Sequence, residues 1–498
     1  MKRLMYILLL YPSFVCSYEP IVVDVNEGRQ IIDGIKKGDE IYFPFSFIKP
    51  YYEAYSSEKN GVVYFKHNNA IFRDVAGYTP TGNYLNFDKI AVENWDNYFD
   101  GHSIPVNNFR WGQHYYPISI LHYGISHHAQ KLKCGHNCDI DSNYDNSVDK
   151  WINYSGQDNI SANGEGVRFT GLDSSYMLKI NSSEKYINLD LAFRNANYRV
   201  YFEVETTDGI KHIQLNAGSG SHSLNDKYYY VGVPLKTFEN RRITIFRDLQ
   251  TDVKKMFGAT YKSLLSVKVR GDVDVFSVST SKTNHTRIIK RVADWLLEKQ
   301  DSLGAWPSEF DHMFYSGRTE VMKAGWYSAM AQGLAISHLV RAHSLLGDEG
   351  YLDSARSALQ IYSVPVSSGG VLDYYDSRPV YEEYPTTPSS HVLNGFIFAL
   401  LGLYDLQEYD SNIYARDLYE EGFNTLENIL PLYDMGNRSA YDLTHISSKT
   451  YPNIARWSYH ATHVHQLKVM MSISKSTVIK EFHDRWYEYA FGFKVKTN

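Results

Sequence analysis

Residues 392–406 have the sequence VLNGFIFALLGLYDL, and they show the helical period of the C-terminal half of the chain. Four apolar residues recur there at the helical spacing i, i+4, i+8 and i+11: Val392, Phe396, Leu400 and Leu403. Such a stripe lies along one side of a helix and requires a core to cover it. We therefore predict a buried helix over 388–408.

The helical period continues on both sides of this stretch. Further helices are predicted over 286–300, 326–346, 351–363, 413–430, 460–473 and 476–490. No clear strand pattern interrupts them. Successive helices of this kind predict an α/α toroid over 283–498, whose loops at one rim would form a cleft.

The chain before residue 283 has a different period. Apolar and polar residues alternate in stretches such as 198–205 and 227–233, which predicts strands with one buried face. Residues 115–130 are the exception and are predicted to form a short helix. The expected fold is α+β and multidomain, with a β-hairpin region and one helix (18–130), a β-sandwich or barrel (131–282) and a catalytic α/α toroid (283–498).

The N-terminus has the features of a targeting segment. Lys2 and Arg3 precede an apolar run of about a dozen residues, shorter than the roughly 20 that span a bilayer. We predict a signal peptide or short anchor over 1–17, and hence the secretory pathway. Five glycosylation sequons fit a lumenal protein: Asn153, Asn159, Asn181, Asn284 and Asn437.

Two of the three cysteines lie close together after the predicted leader. Cys134 and Cys138 are expected to form a disulfide in an oxidising lumen. A metal site that includes His136 is the alternative.

Composition limits the possible functions. The net charge of −6 excludes a global positive field, so nucleic acid is not an expected partner and any anionic ligand must be held by local cations. The 42 tyrosines suit sugar recognition, because the ring covers C–H surface while the hydroxyl makes a directional bond. A tyrosine-rich β-structure would give the same composition.

The segment VYEEYPTTPSS at 380–390 places two carboxylates and two phenols before a predicted helix. Helix N-termini favour anions, so these groups would stand beside an anion-binding helix end. The alternative is a helix cap followed by a solvated acidic loop.

Two more polar clusters follow, at 439–445 and 452–463. They bring Tyr441, Asp442, His445, Arg456, Tyr459, His460 and His463 into a short span. Ordinary loop packing would also explain them. His460, His463 and His465 allow a metal site as a further alternative, although no acidic residue stands at helical spacing from them.

Several long runs resemble the C-terminal region of the glucuronyl 5-epimerases. They are GWYSAMAQG (325–333), YEEYPTTPSS (381–390), VLNGF (392–396), LGLYDL (401–406), LPLYD (430–434) and PNIARW (452–457). The runs keep the order of the family and span most of residues 285–498. Before residue 283 the resemblance is thinner and is best around 76–78 and 116–120.

The resemblance implies an enzyme that converts D-glucuronate to L-iduronate within heparosan or heparan sulfate, by removing a proton at carbon 5 and returning one to the opposite face. Implied catalytic residues are Glu383, Tyr384, Tyr441 and Tyr459. Implied substrate-binding residues are Tyr78, Tyr116, His128, Tyr327, Gln332, Asn394, His445, Arg456 and His460.

The resemblance also implies a homodimer in the Golgi lumen, anchored or soluble, or a secreted one. Its chemistry would need no cofactor. A structural calcium ion is implied too, with Asp274 as its suggested ligand.

Two departures from the family pattern stand in this region. His128 replaces a tyrosine of the relatives, and Thr444 replaces an arginine. A polysaccharide lyase or glycoside hydrolase on the same scaffold, and a catalytically silent glycosaminoglycan-binding protein, therefore stay open as alternatives.

Overall fold

The computed structural model describes residues 18–25, 30–44, 46, 54–67, 75, 77–89, 98–110, 112–155, 159–171, 175–218, 222–233 and 240–491. The chain divides into two compact units. The first comprises residues 1–72 and 455–461, and the second comprises 73–454 and 462–498. The predicted leader, 1–17, lies outside the described residues.

The first unit contains short antiparallel strands. Its meander consists of β1 (Glu19–Val25), β2 (Gln30–Lys37) and β3 (Glu40–Tyr42), and its hairpin consists of β4 (Ala54–Lys59) and β5 (Val62–His67). Asn60 and Gly61 both have positive φ in the hairpin turn, which is the backbone that a two-residue hairpin of the primed type requires.

The second unit begins with β6 (Tyr98–Phe99), β7 (Pro105–Phe109), β8 (Gly112–His114) and helix α1 (Pro117–Cys134). Helix α1 corresponds to the helix predicted at 115–130. Cys134 and Cys138 at its end form the predicted disulfide.

An eleven-stranded sheet follows. Its strands are β9 (Asp141–Asn143), β10 (Ile152–Asn153), β11 (Ile160–Asn163), β12 (Gly166–Phe169), β13 (Ser175–Ser182), β14 (Tyr186–Thr206), β15 (Gly209–Ala217), β16 (His222–Leu224), β17 (Tyr228–Val233), β18 (Arg242–Asp248) and β19 (Tyr261–Ser281). The two longest, β14 and β19, pair antiparallel along most of their length and bury an apolar core. The predicted period-two region is therefore β-rich.

Asn284 corrects one glycosylation prediction. Its side chain is fully buried, its amide donates to Asn188 Oδ1 at 2.6 Å, and its oxygen accepts from Arg287 at 2.9 Å. This amide is committed to internal bonds and is not available for a glycan.

The C-terminal region is helical. Its helices are α2 (His285–Lys299), α3 (Ala329–Leu346), α4 (Glu349–Ser357), α5 (Leu393–Asp410), α6 (Ile413–Ile429), α7 (Trp457–Ile473) and α8 (Thr477–Tyr489). Short helical turns occur at Leu249–Asp252 and Thr444–Ser447. Among the described residues, no helix is both long and apolar enough to span a membrane.

Helices α3 and α5 lie parallel to each other. Asn394 contacts Met330 near their N-terminal ends, and Arg341 contacts Asp405 near their C-terminal ends. The eleven residues between the two contacts correspond to about 16 Å of helix. Polar groups at the N-terminal end of the α3–α5 pair are therefore about 16 Å from those at its C-terminal end.

Two strand pairs correct the expectation that no strand interrupts the helices. They are β20 (Pro307–Ser308) with β21 (Trp326–Tyr327), and β22 (Leu372–Tyr375) with β23 (Arg378–Tyr381). Asp376 and Ser377 both have positive φ at the second turn, which is the backbone of a tight two-residue hairpin.

Candidate active site

The β22–β23 hairpin delivers the segment 382–384 to the N-terminal ends of α3 and α5. The backbone oxygen of Glu382 accepts from Ala329 at the start of α3, and its backbone N–H donates to Val371. The backbone N–H of Leu393, the first residue of α5, donates to the oxygen of Tyr441. Backbone hydrogen bonds thus connect both predicted polar loops to the same helix ends.

Glu382 has a structural role. Its buried carboxylate accepts from the Ser390 hydroxyl at 3.0 Å and from the backbone N–H of His391 at 3.1 Å. His391 Nδ1 also lies 2.7 Å from Glu382 Oε1. Burial opposes the charged imidazole, but Glu382 outweighs that effect and raises the pKa of His391. This ion pair closes the loop 382–391.

Glu383 has a different environment. It is buried, and its Oε2 accepts from Asn394 Nδ2 at 3.4 Å. Burial raises its pKa to about 8, against a hydrogen bond from Tyr384 that favours the anion, while Glu382 adds to the rise. A carboxyl group with this pKa exchanges protons near neutral pH, as an acid–base catalyst requires.

Gly395 gives Glu383 the space that it occupies. A Cβ at position 395 would overlap with Cβ, Cδ and Oε2 of Glu383. Only glycine allows the first turn of α5 to lie this close to the carboxyl group.

Tyr384 lies in an aromatic wall. Its ring lies 4.6 Å from Phe314, 5.4 Å from His312 and 5.8 Å from Trp326. Burial, and then the neighbouring Tyr116, Glu383 and Tyr441, raise the pKa of Tyr384 well above its usual value. The phenol therefore holds its proton at neutral pH and is placed to donate rather than to accept.

Tyr116 and Tyr441 approach the same wall. Tyr116 packs on Phe310 at 5.5 Å and hydrogen bonds with Tyr384. The ring of Tyr441 lies 6.4 Å from Phe314. The structure thus brings together five of the predicted residues: Glu383, Tyr384, Tyr441, Tyr116 and Asn394.

The aromatic residues around Tyr384 were not predicted from the sequence. Phe310, His312 and Phe314 alternate in the stretch FDHMF at 310–314, which leads toward Trp326 in the structure. Aromatic rings at every second position of a non-helical segment were the available signal.

Thr444, one of the two departures from the family pattern, is a hydrogen-bond donor to Asp442. Its hydroxyl donates to Asp442 Oδ1 at 2.6 Å, and Asn453 donates to Oδ2 at 2.7 Å. Burial lowers the pKa of His445 although Asp442 opposes this change, so the imidazole is neutral at pH 7. Neither residue supplies a positive charge at neutral pH.

Tyr327 and Gln332 are occupied by other contacts. The Tyr327 hydroxyl donates to Asp301 at 2.6 Å. Gln332 is fully buried and exchanges hydrogen bonds of 3.1 Å with both backbone polar groups of Trp306. These contacts fix the loop around Trp306 and do not present the two side chains to a ligand.

Tyr78 and His128 are not among the residues gathered around Glu383, and their predicted roles stay predictions. The Tyr78 hydroxyl donates to Asp405 at 3.0 Å, beside a fully buried ion pair between Asp405 and Arg341. Burial, and then Arg341 and His338, lower the pKa of His128 to about 3. Both residues therefore lie toward the opposite end of α3 and α5 from Glu383.

Arg456, Tyr459 and His460 belong to residues 455–461 of the first unit and are described by themselves. Arg456 and Tyr459 are exposed, whereas His460 is fully buried and its backbone N–H donates to the oxygen of Arg456. Their predicted roles stay predictions.

Asp274 does not fit the implied calcium ion. It is fully buried, and its carboxylate accepts from Arg168 at 2.9 Å and from Arg194. Two guanidinium groups already neutralise this carboxylate and occupy the oxygens that a cation would need.

One other group could supply metal ligands among the described residues. Asp373, Glu382 and His391 place ligand atoms within 4.8 Å of one another. Glu382 accepts hydrogen bonds from Ser390 and His391, and it forms an ion pair with His391. The cluster is therefore accounted for by the contacts that close the loop 382–391. His463 and His465 instead bond to Ser439 and Asn86.

Comparisons with known proteins show which proteins this chain is similar to. The family profile described as the D-glucuronyl C5-epimerase C-terminus matches residues 300–488. The D-glucuronyl C5-epimerase of Caenorhabditis elegans is 30% identical over 549 aligned residues, which cover 93% of this chain and 87% of that protein. An uncharacterized protein of Methanocaldococcus jannaschii, MJ1128, is 31% identical over 198 residues, covering 38% of this chain and 59% of that protein.

Among solved structures, a family 76 glycoside hydrolase from Bacteroides thetaiotaomicron is similar with a TM-score of 0.29 and 11% identity. That similarity covers 63% of this chain and 60% of the hydrolase.

Proposed function

The chain belongs to the D-glucuronyl C5-epimerase family, and from this premise we propose how its residues invert carbon 5 of glucuronate. The protein is an isomerase that acts on glucuronate residues. We propose heparosan and its N-sulfated forms as the polymer that carries them. The observation that supports this mechanism is the buried Glu383, whose pKa of about 8 lies near neutral pH.

Inversion requires one group to take the carbon 5 proton and another to return a proton from the opposite face. We propose that Glu383 serves one face, with Tyr384 donating a hydrogen bond beside it. Tyr441 serves the other face. Such positioned acid–base groups contribute about 10²–10⁴-fold each.

Charge that develops on the uronate carboxylate needs donors as the proton leaves. Asn394, which bonds to Glu383, and Tyr116, which bonds to Tyr384, supply neutral donors. The proton transfers use side chains throughout, so the proposed chemistry needs no cofactor.

The cleft for this reaction is proposed to lie at one rim of an α/α toroid. The parallel packing of α3 and α5, which are separated in sequence by α4, supports that architecture because alternate helices of a toroid run in the same direction. The N-terminal ends of α3 and α5 would form part of this rim.

Incubation of heparosan with the protein in deuterated water tests the function. Deuterium at carbon 5 of an intact polymer is the expected result. Shortened chains with unsaturated ends would instead indicate a lyase, and bound polymer without deuterium would indicate a silent binding protein.

The predicted leader supports the secretory pathway, and we propose a lumenal or secreted homodimer.

The β1–β3 meander supports the dimer. Its register places four exposed apolar side chains on one face: Val22, Ile31, Ile35 and Tyr42. Ile31→Lys combined with Ile35→Lys should convert the dimer to a monomer in light scattering. A species of unchanged mass would remove this face as the dimer contact.

A further inference from the structure

A cavity of about 360 Å³ lies in the second unit, beside α2 and the loop that precedes β20. We name it the aromatic cavity, because Tyr98, Tyr115, Trp295 and Trp306 line it. Aromatic rings of this kind cover the C–H faces of sugars. The volume falls within the usual range of small-molecule sites.

Two charged side chains also line the aromatic cavity, Lys299 and Glu309. Both are exposed, and neither makes an ion pair or side-chain hydrogen bond within the part of the chain that the structure describes. The nearby phenols are occupied, since Tyr98 donates to Gln113 and Tyr115 donates to Asp100, each at 2.7 Å. Lys299 is therefore, among the described residues, an unpaired lysine that can meet an anionic ligand in this cavity.

Ring contacts connect the aromatic cavity to the candidate active site. His114, which lines the cavity, lies 5.3 Å from Phe310, and Phe310 lies 5.9 Å from Trp326. Trp326 in turn lies 5.8 Å from Tyr384. The cavity thus shares an aromatic frame with Tyr384, and its lining residues are different from those gathered around Glu383.

Gln332 holds the cavity wall in place. Its buried amide exchanges two hydrogen bonds with the backbone of Trp306, and Pro307 pairs with Tyr327 in the β20–β21 ladder. Tyr327 and Gln332 thus hold Pro307 and Trp306, two of the residues that line the aromatic cavity.

We propose that the aromatic cavity binds a second sugar unit of the same polymeric substrate, with Lys299 paired to an anionic group of that unit. This inference rests on the proposed function, since it assumes a polymer of glucuronate and glucosamine. Its consequence is that long chains bind more tightly than short ones, while the rate of the chemical step is the same.

Kinetics on two chain lengths test the proposal. Lys299→Gln should raise KM for an N-sulfated heparosan dodecasaccharide roughly two- to fivefold, as expected for one exposed ion pair, with kcat unchanged. KM for a tetrasaccharide should stay the same. Lys299→Arg should restore binding of the long chain, and Lys282→Gln, which changes an exposed lysine outside the cavity, is the matched control.

An equal KM change on both chain lengths, or none, would overturn the proposal. Calorimetric titration of the dodecasaccharide separates this result from a failure of the proposed function. If no form of the protein exchanges carbon 5 hydrogen, a weaker Kd for Lys299→Gln would still support the cavity, and an equal Kd would overturn it. An N-acetylated dodecasaccharide identifies the anion: a KM effect retained there indicates the carboxylate, and one lost indicates the sulfate.

Discussion

At the scale of single residues, two adjacent glutamates have opposite roles. Glu382 is held by Ser390 and His391, whereas Glu383 is buried beside Asn394 and a phenol. The sequence indicated a catalytic carboxyl group in this loop but could not distinguish the two from local pattern alone. The difference arises from which side chain meets the N-terminus of α5, and this is a property of the tertiary structure.

Gly395→Ala tests the space that Glu383 needs. The new methyl group would overlap with the glutamate side chain and displace its carboxyl group. A misplacement of about 1 Å can reduce catalysis roughly 100-fold, so kcat/KM for carbon 5 exchange should fall by that order. Gly77→Ala is the control, because a Cβ there meets no atom within 4 Å. Equal activity of the two variants would remove the proposed constraint.

The raised pKa of Glu383 predicts how stability depends on pH. Between its usual value of 4.5 and about 8, the folded protein retains a proton that the unfolded chain has lost. Stability of the wild type should therefore fall across this window as pH rises. Glu383→Gln has no carboxyl group to titrate at this position. The free energy of unfolding of the variant minus that of the wild type should therefore increase from pH 5 to pH 8. Denaturant titrations at both pH values measure the difference, and a constant difference would contradict the pKa.

At the scale of elements, the α3–α5 pair separates catalysis from stability. Glu383 and Asn394 lie at its N-terminal end, while Arg341 and Asp405 form a buried ion pair about 16 Å along the helices. The resemblance assigned Tyr78 to substrate, but sequence similarity does not reveal at which end of a helix pair a tyrosine packs. The hydroxyl of Tyr78 completes the ion pair instead.

Breaking this ion pair should destabilise the protein without changing the active site. Asp405→Asn leaves Arg341 buried with less compensation, which costs about 3–5 kcal/mol of unfolding free energy. The double variant Arg341→Met with Asp405→Leu should recover much of that loss, because it buries no charge. Urea unfolding measures both effects. Folded Tyr78→Phe should retain kcat/KM, and a loss of more than tenfold would return Tyr78 to the substrate-binding set.

Helix boundaries show a second limit of sequence reasoning. The apolar stripe of Val392, Phe396, Leu400 and Leu403 predicted α5, but the helix begins at Leu393 rather than at 388. Ser390 and His391 use their donors on Glu382 and therefore remain outside the helix. The local period of apolar residues predicts that a helix exists. The residue at which it begins depends on an acceptor outside the helix, here the Glu382 carboxylate.

At the scale of the whole molecule, the change of period near residue 283 predicted the order of a β-rich region and a helical region. Both parts are present, because burial patterns of two and 3.6 residues are local properties of the chain. The aromatic wall of Phe310, Phe314 and Trp326 was not predicted, since it is assembled from separate segments. Two of these rings, Phe314 and Trp326, pack on Tyr384 beside the proposed catalytic carboxyl group.

The central claim is that Glu383 transfers the carbon 5 proton. The most direct measurement is the rate of deuterium incorporation at carbon 5 of heparosan by folded Glu383→Gln. Glu420→Gln, which changes an exposed glutamate of α6, is the matched control. The account predicts a loss of about 10²–10⁴-fold for Glu383→Gln and an unchanged rate for the control. An unchanged rate in folded Glu383→Gln would contradict it.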